Sequence, residues 1–200
     1  MTGGPPVVVV LSGPSGAGKD ALIERIHGRS SPERFAVPIT MTTRRKRPGE
    51  VDGVDYLFVT SEEFRRRLDA GELLEHAEVY GHHYGVPRSG LREALELGHD
   101  VIMRVDVQGA ATLRGMMPDA VLIFLEPDDL SQIERRLRER GTDVETIHRR
   151  LNAAQIELAA RDQFDHVVVN VEGDLDGTVE RVLAIVAQER ARPGRQPVKV

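Results

Sequence analysis

A run of five apolar residues leads directly into a glycine-rich turn and then into a helix-forming segment. Val7–Leu11 is mostly β-branched, which is typical of a strand buried on both faces of a parallel sheet. The turn Gly13–Lys19 reads GPSGAGK and fits the pattern G-x-x-x-x-G-K. Ala21–Ile26 then carries apolar residues at helical spacing. This order of strand, glycine loop and helix predicts the first half of a βαβ unit.

The glycine loop has the composition needed to bind phosphate groups. Glycines let backbone N–H groups turn inward, and the start of the following helix adds partial positive charge. Lys19 supplies a full positive charge to the β- and γ-phosphates of a nucleotide, whereas a purely structural turn, the alternative, needs no lysine. We therefore predict that the donor nucleotide is bound by Gly13, Pro14, Ser15, Gly16, Ala17, Gly18, Lys19, Asp20 and Ala21.

The residue after the lysine departs from the pattern, which asks for Ser or Thr to contact magnesium. Asp20 stands there instead. A carboxylate is a good magnesium ligand, so Asp20 is the predicted metal ligand. It also places a negative charge near the phosphates, and the sequence does not decide how these effects balance.

The rest of the chain alternates strands with helices. Predicted strands are Asp100–Val105, Ala120–Leu125 and His166–Val169, and predicted helices are Val107–Met116, Leu130–Glu139, Val144–Arg161 and Leu175–Arg190. This alternation predicts an α/β fold, a parallel sheet with helices on both faces. Residues 37–90 break the rhythm and predict an inserted α+β lobe. Residues 191–200 lack periodicity and are expected to form a mobile tail.

The inserted segment contains a second candidate phosphate site. Arg44–Arg47 is a run of four basic residues, and Tyr56 follows within the same segment. Guanidinium groups bind phosphate dianions through paired hydrogen bonds, although a surface charge run is the alternative.

Several motifs together resemble the guanylate kinase family. They are TTR-x-x-RPGEVDG-x-DY, GPSGAGK, LLEHAEVYGHHYG, VDVQGA, RGTD, RLNAAQIEL and VVVN, and they occur in family order over about residues 7–190. The resemblance implies one domain of P-loop NTPase type, with a monophosphate-binding lobe and a small helical lid. The implied parts are a core (7–36, 91–134 and 163–190), a lobe (37–90), a lid (about 135–162) and the tail (191–200).

The resemblance also implies a set of acceptor-site residues. Arg44, Arg47, Tyr56 and Tyr84 match the ligands of the GMP phosphate, while Thr40, Glu75 and Asp106 match residues that contact guanine. Without the family pattern, ordinary structural roles are favoured for these residues: a strand carboxylate for Glu75, a helix cap for Asp106 and packing for the two tyrosines.

Further positions match the lid and the ATP site, and two depart from the family. Arg136, Arg140 and Arg150 resemble lid arginines, and Asn170 matches a residue near the adenine of ATP. Arg138 and Arg149 are expected to face solvent and pair with Glu134 and Glu145. Val86 replaces a base-contacting hydroxyl, and Arg104 stands where an acidic residue is common.

Composition and charge limit the binding partners and the cellular location that can be expected for this protein. The net charge of −5 argues against a general binder of nucleic acid or anionic membranes. The absence of cysteine excludes disulfides and thiolate metal sites. No signal peptide or membrane span is evident, so a cytoplasmic location is expected.

The resemblance implies magnesium-dependent transfer of the ATP γ-phosphate to GMP or dGMP. Arg44, Lys19 and the three lid arginines are the implied catalytic residues. Two alternatives remain open. One is a ribose 1,5-bisphosphate phosphokinase, a class similar in the loop that shares Asp after the lysine. The other is a non-catalytic guanylate-kinase-like interaction module.

Overall fold

The computed structural model describes residues 4–29, 35–139 and 141–200. Within these ranges the chain forms two sheets, with helices packed against them. In chain order the elements are β1 (Val8–Ser12), α1 (Lys19–Arg29), β2 (Phe35–Ala36), β3 (Met41–Thr42), β4 (Leu57–Phe58), α2 (Ser61–Asp69), β5 (Leu73–Val79), β6 (His82–Pro87), α3 (Arg88–Glu96), β7 (Asp100–Arg104), α4 (Val107–Met116), β8 (Val121–Pro127), α5 (Leu130–Glu139), α6 (Val144–Leu158), β9 (His166–Asn170) and α7 (Leu175–Ala191).

The first sheet is parallel, with the strand order β2-β7-β1-β8-β9. Its central strand is buried on both faces, since Val7, Val9 and Leu11 pack into one apolar cluster and Val8 and Val10 into another. All five side chains are 0% exposed. Burying one Val or Leu stabilises a fold by about 1.5–3 kcal/mol, so this strand anchors the domain. The predicted α/β class with a parallel core sheet is confirmed.

A second sheet, in the order β4-β3-β6-β5, is built by the inserted segment. Its β3–β4 pair is parallel and the other two pairs are antiparallel. Met41, Phe64 and Leu73 form a separate small core beneath it. The sequence analysis did not assign β6 or α3. The β6 segment mixes histidines with Gly and Pro, and its pairing with β5 defines it as a strand.

The pair α5 and α6 also has its own small core, made by Ile133, Leu137, Ile147 and Ala154. Helix α6 begins after Asp143, whose carboxylate accepts a hydrogen bond from the Thr146 N–H at 2.8 Å. It ends at Leu158, before the predicted Arg161, and Arg161–Gln163 forms a short 3₁₀ helix. None of the helices in the described ranges is long and apolar enough to cross a membrane.

The tail expected to be mobile instead packs on the core, so that prediction is wrong. Val198 is 9% exposed and joins the apolar cluster of Val8 and Val10. Arg195 is 8% exposed, and its guanidinium donates to the backbone oxygens of Pro6 and Asp119 at 3.4 and 3.5 Å. Val200 also packs, partly buried, against this cluster, and such scattered contacts give no periodic signal in the sequence.

Candidate active site

A cleft of about 620 Å³ lies where the glycine loop faces the second sheet and the α5–α6 pair. Pro14 and Ala17 belong to the loop but do not line the cleft, and Arg140 lies outside the described residues. The cleft brings together the other predicted site residues: Gly13, Ser15, Gly16, Gly18, Lys19, Asp20, Ala21, Thr40, Arg44, Arg47, Tyr56, Glu75, Tyr84, Asp106, Arg136, Arg150 and Asn170.

The loop conformation depends on its glycines. Gly13, Gly16 and Gly18 have φ values of 138°, 94° and 100°, a region that side chains rarely adopt. A Cβ on Gly13 would lie 2.2 Å from the backbone oxygen of Leu125 in β8. The loop therefore packs directly on the neighbouring strand, and any side chain at position 13 would clash with it.

Lys19 folds back over this loop. Its ammonium group donates to the backbone oxygens of Gly13 and Pro14, at 2.5 and 3.1 Å. Burial lowers the pKa of Lys19 from its ordinary value, and the charge of Asp20 opposes that shift. The lysine thus lies over the loop, where a phosphate oxygen could replace the carbonyl oxygens as its partner.

The α5–α6 pair contacts the loop from the other side. Arg136 donates to the Gly16 oxygen at 2.8 Å, and Glu157 accepts from the Ser15 N–H at 3.3 Å. Burial raises the pKa of Glu157, and the charge of Lys19 opposes this. Sequence reasoning missed Glu157, although it lies in the quoted RLNAAQIEL motif.

Arg150 lies over the ring of Tyr80, with its guanidinium carbon 4.9 Å from the ring centroid. Tyr80 is the first residue of the two-residue turn between β5 and β6 and has a φ of 52°, unusual for a residue other than glycine. This contact joins α6 to the second sheet. Sequence reasoning missed Tyr80 as a site residue, although it lies in the quoted LLEHAEVYGHHYG motif.

Of the two arginines expected to face solvent, one on α5 and one on α6, only the first makes its expected ion pair. Arg138 pairs with Glu134 at 2.7 Å, as expected. Arg149 is exposed at the cleft edge and donates to the Thr146 hydroxyl at 3.4 Å, whereas Glu145 was its expected partner.

The second sheet carries a basic and aromatic cluster. Arg44 makes a two-pronged ion pair with Glu50, at 3.0 and 2.7 Å, and its guanidinium carbon lies 5.2 Å from the Tyr56 ring centroid. The rings of Tyr56 and Tyr84 meet edge to face, 6.2 Å apart. Burial raises the pKa of Tyr56 to about 12, so its hydroxyl remains a donor at neutral pH. Arg47 is more exposed, at the rim.

A buried carboxylate lies deeper in the cleft. Glu75 is 6% exposed, and burial raises its pKa to about 8, with the charge of Asp106 adding to the shift. Asp106 caps α4 by accepting from the Gly109 N–H at 2.7 Å, the role considered as the alternative for it. A Cβ on Gly109 would lie 2.5 Å from Glu75 Oε1, so this glycine makes room for the carboxylate. Thr40 also lines this region and is 5% exposed.

Asp20 departs from the P-loop pattern and Arg104 from the family pattern, and the two side chains contact each other. Arg104 Nη1 donates to Asp20 Oδ1 at 2.9 Å. Val86, the remaining departure, is 1% exposed and packs with Leu74 in the core rather than lining the cleft.

Asn170 is 3% exposed and supports the loop directly. Its amide nitrogen donates to the Ala17 oxygen at 2.7 Å. The same side chain also lines the cleft, so it can contact a ligand as well as hold the loop.

These features define a P-loop phosphotransferase fold in which the glycine loop and the basic cluster of the second sheet line one cleft. The model of the guanylate kinase family, described as "Guanylate kinase", matches residues 6–189. The chain belongs to the guanylate kinase family, which confirms the resemblance seen in the sequence.

Individual relatives agree with this assignment. A guanylate kinase of Streptococcus agalactiae is 44% identical over 94% of this chain and 90% of its own length. Guanylate kinase 2, chloroplastic/mitochondrial, of Oryza sativa is 43% identical over 98% of this chain and 68% of its own length. The crystal structure of guanylate kinase from Anaplasma phagocytophilum aligns with a TM-score of 0.78 and 34% identity, covering 96% of this chain and 90% of the other.

Proposed function

We propose that this protein transfers the γ-phosphate of ATP to GMP or dGMP, giving ADP and GDP or dGDP. One observation carries the proposal: a single cleft holds the P-loop lysine, a basic and aromatic cluster, and the buried carboxylate of Glu75. A base-free sugar lacks the adjacent N–H and amine donors of guanine that this carboxylate is placed to accept from, so the ribose bisphosphate alternative is not favoured. Gly18 and Lys19 of the P-loop are both kept, which likewise argues against a non-catalytic module.

The donor site is formed by the glycine loop and the α5–α6 pair. The loop N–H groups and Lys19 hold the ATP phosphates, and Asn170 keeps the loop in place. Arg136 and Arg150 serve as lid arginines that meet the charge on the transferred group, with Arg140 as a further member outside the described residues.

The acceptor site is formed by the second sheet and the end of β7. Arg44, Arg47, Tyr56 and Tyr84 bind the GMP phosphate through charged and hydroxyl donors. Glu75 and Asp106 accept hydrogen bonds from guanine N1–H and its exocyclic amine, and Thr40 contacts the base. Adenine lacks this pair of donors and would leave Glu75 unpaired, so the site discriminates against AMP.

Asp20 fits the role of magnesium ligand in the ATP complex. Among the described residues, no group of three or more His, Asp or Glu side chains is placed to hold a metal ion. Magnesium commonly takes one or two carboxylates together with substrate phosphates and water. Asp20 offers one carboxylate beside the loop, with its side chain 64% exposed. The bound ion supplies charge neutralisation on the phosphates.

Catalysis then consists of positioning and charge neutralisation. The GMP phosphate is already an anionic nucleophile, so the protein needs no general base and forms no covalent intermediate. The core, lobe, lid and tail boundaries given above, a cytoplasmic location, and nucleotides rather than nucleic acid or membranes as partners belong to the same proposal.

The test is ADP release from ATP with a panel of acceptors: GMP, dGMP, AMP, CMP, UMP and ribose 1,5-bisphosphate. We expect GMP and dGMP to be preferred. Glu75→Gln should lower kcat/KM for GMP by about 10–100-fold, because a hydrogen bond to a charged group is worth about 1.5–3 kcal/mol. Glu78→Gln, an exposed change on the same strand, is the matched control. Turnover of ribose 1,5-bisphosphate without GMP activity would contradict the proposal.

A further inference from the structure

The ion pair between Asp20 and Arg104 joins the two substrate sites. Asp20 lies at the start of α1, beside the P-loop, and Arg104 ends β7. The Arg104 side chain is 14% exposed, while that of Asp20 is 64% exposed. The carboxylate that fits magnesium is therefore bonded to a largely buried guanidinium.

Arg104 also reaches the acceptor side of the cleft. Its Nη2 atom donates to the backbone oxygen of Asp55, and its guanidinium carbon lies 4.2 Å from the Tyr56 ring centroid. Arg44 approaches the same ring at 5.2 Å. Arg104 thus contacts Tyr56, one of the four side chains proposed to bind the GMP phosphate, and shares that ring with Arg44, another of them.

Arg104 has a hydrogen-bond donor to spare. Its Nε atom is buried and has no hydrogen-bond partner within the described part of the chain. An unpaired buried donor is unfavourable, and a guanidinium pairs best with an anion that accepts two parallel hydrogen bonds. Because Arg104 lines the cleft, a phosphate bound there can supply those acceptors.

Arg104 and a magnesium ion would compete for the single negative charge of Asp20. A guanidinium and a divalent cation held by one carboxylate repel each other at close range. We propose that Asp20 releases Arg104 when it ligates the magnesium ion that accompanies ATP, and that Arg104 then binds the phosphate of GMP. This inference rests on the proposed function and adds to it a means by which the donor site prepares the acceptor site.

Binding of magnesium with the donor nucleotide should then strengthen GMP binding, and the effect must be reciprocal. The experiment is isothermal titration calorimetry of GMP into the whole protein, saturated with a non-hydrolysable ATP analogue, in magnesium or in EDTA. We expect magnesium to lower the Kd for GMP by about 5-fold or more in the unmodified protein, within the usual range for coupled sites.

Variants separate this exchange from a merely structural ion pair. Asp20→Asn frees Arg104 without metal, so its Kd for GMP in EDTA should match the Kd of the unmodified protein in magnesium. Arg104→Gln should bind GMP weakly in both conditions. Arg25→Gln, which removes an exposed 2.6 Å ion pair with Asp176 from the same helix α1, should respond to magnesium as the unmodified protein does.

Two results would overturn the exchange: no response of the Kd to magnesium in the unmodified protein, or unchanged GMP binding in Asp20→Asn. If Arg104→Gln fails to fold, the exposed Asp20 variant still decides the question. Failure of the exchange leaves GMP phosphorylation intact, whereas absence of ADP release with GMP contradicts the proposed function itself.

Discussion

The buried carboxylate of Glu75 predicts that GMP binding releases a proton. Burial raises the pKa of this group to about 8, so it is protonated in most ligand-free molecules at pH 7. A protonated carboxyl lacks the negative charge that would favour bonds from guanine N1–H and the exocyclic amine. We therefore expect GMP to bind the ionised form and Glu75 to lose its proton on binding.

The size of the effect follows from that pKa. With a value of about 8, ionising Glu75 at pH 7 costs about 1.4 kcal/mol, roughly a tenfold loss in GMP affinity. The ionised fraction rises from about 1% at pH 6 to about 50% at pH 8, so the Kd for GMP should fall by about 50-fold across that range. Ionisation of the GMP phosphate, with a pKa near 6, contributes no more than about twofold.

Calorimetry at pH 7 in buffers of different ionisation enthalpy measures the proton directly. We expect roughly 0.9 proton released per GMP bound, because about nine molecules in ten begin protonated at Glu75. Glu75→Gln should bind GMP more weakly, with a pH dependence limited to that of the phosphate. Glu78→Gln should keep the pH dependence of the unmodified protein.

Stability of the ligand-free protein gives an independent check. The folded-state pKa of Glu75 is raised, so its contribution is present at low pH and is lost as pH rises through about 8. The Tm should therefore fall more steeply with pH than that of Glu75→Gln between about pH 5 and 8, the interval between the ordinary pKa of 4.5 and the raised one, and the difference in slope should vanish above that interval. Equal proton release by the unmodified protein and Glu75→Gln would refute the argument that this carboxylate meets the base.

Three further predictions test other contacts. Gly109→Ala should raise the KM for GMP at least tenfold without changing the KM for ATP, because the new Cβ would lie 2.5 Å from the buried carboxylate; Gly115→Ala, on the same helix with nothing within 4 Å, is the control. Tyr80→Ala should lower kcat by about 2- to 30-fold through loss of the cation–π contact with α6, while Tyr80→Phe should retain most activity in the same steady-state assay. Val198→Ala should lower the free energy of unfolding by about 1.5 kcal/mol in urea titrations without altering either KM, whereas the exposed Lys199→Ala should leave stability unchanged; a change in KM for the valine variant would contradict the separation of tail and cleft.

The core was predictable because local sequence carries its signal. Val7–Leu11 is apolar at every position, so a strand buried on both faces is its natural structure, and the glycine loop follows without a gap. The acceptor-site residues were named through family motifs rather than through physics. Isolated carboxylates and tyrosines have ordinary structural uses, as the helix-capping bond of Asp106 illustrates.

The remaining features depend on contacts between distant parts of the chain. Asp20 and Arg104 are 84 positions apart, and each looks like an isolated departure until the parallel strands bring them together. Glu157 meets the loop N–H of Ser15 from a position 142 residues later. The tail docks through Val198, Val200 and Arg195, which are too few and too irregularly spaced to give a periodic signal.

The docked tail contacts the amino ends of the core strands, whereas the cleft lies at their carboxyl ends. Arg195 bonds to backbone oxygens just before β1 and β8 begin, whereas Ser12 and Arg104 end their strands beside the cleft. Contacts at the amino ends of the strands thus affect the stability of the fold, whereas residues at the carboxyl ends affect catalysis. Substitutions in residues 191–200 should therefore change the thermal stability of the protein without changing its kinetic constants. A fusion partner attached to this segment would likewise disturb the docked tail rather than the active site.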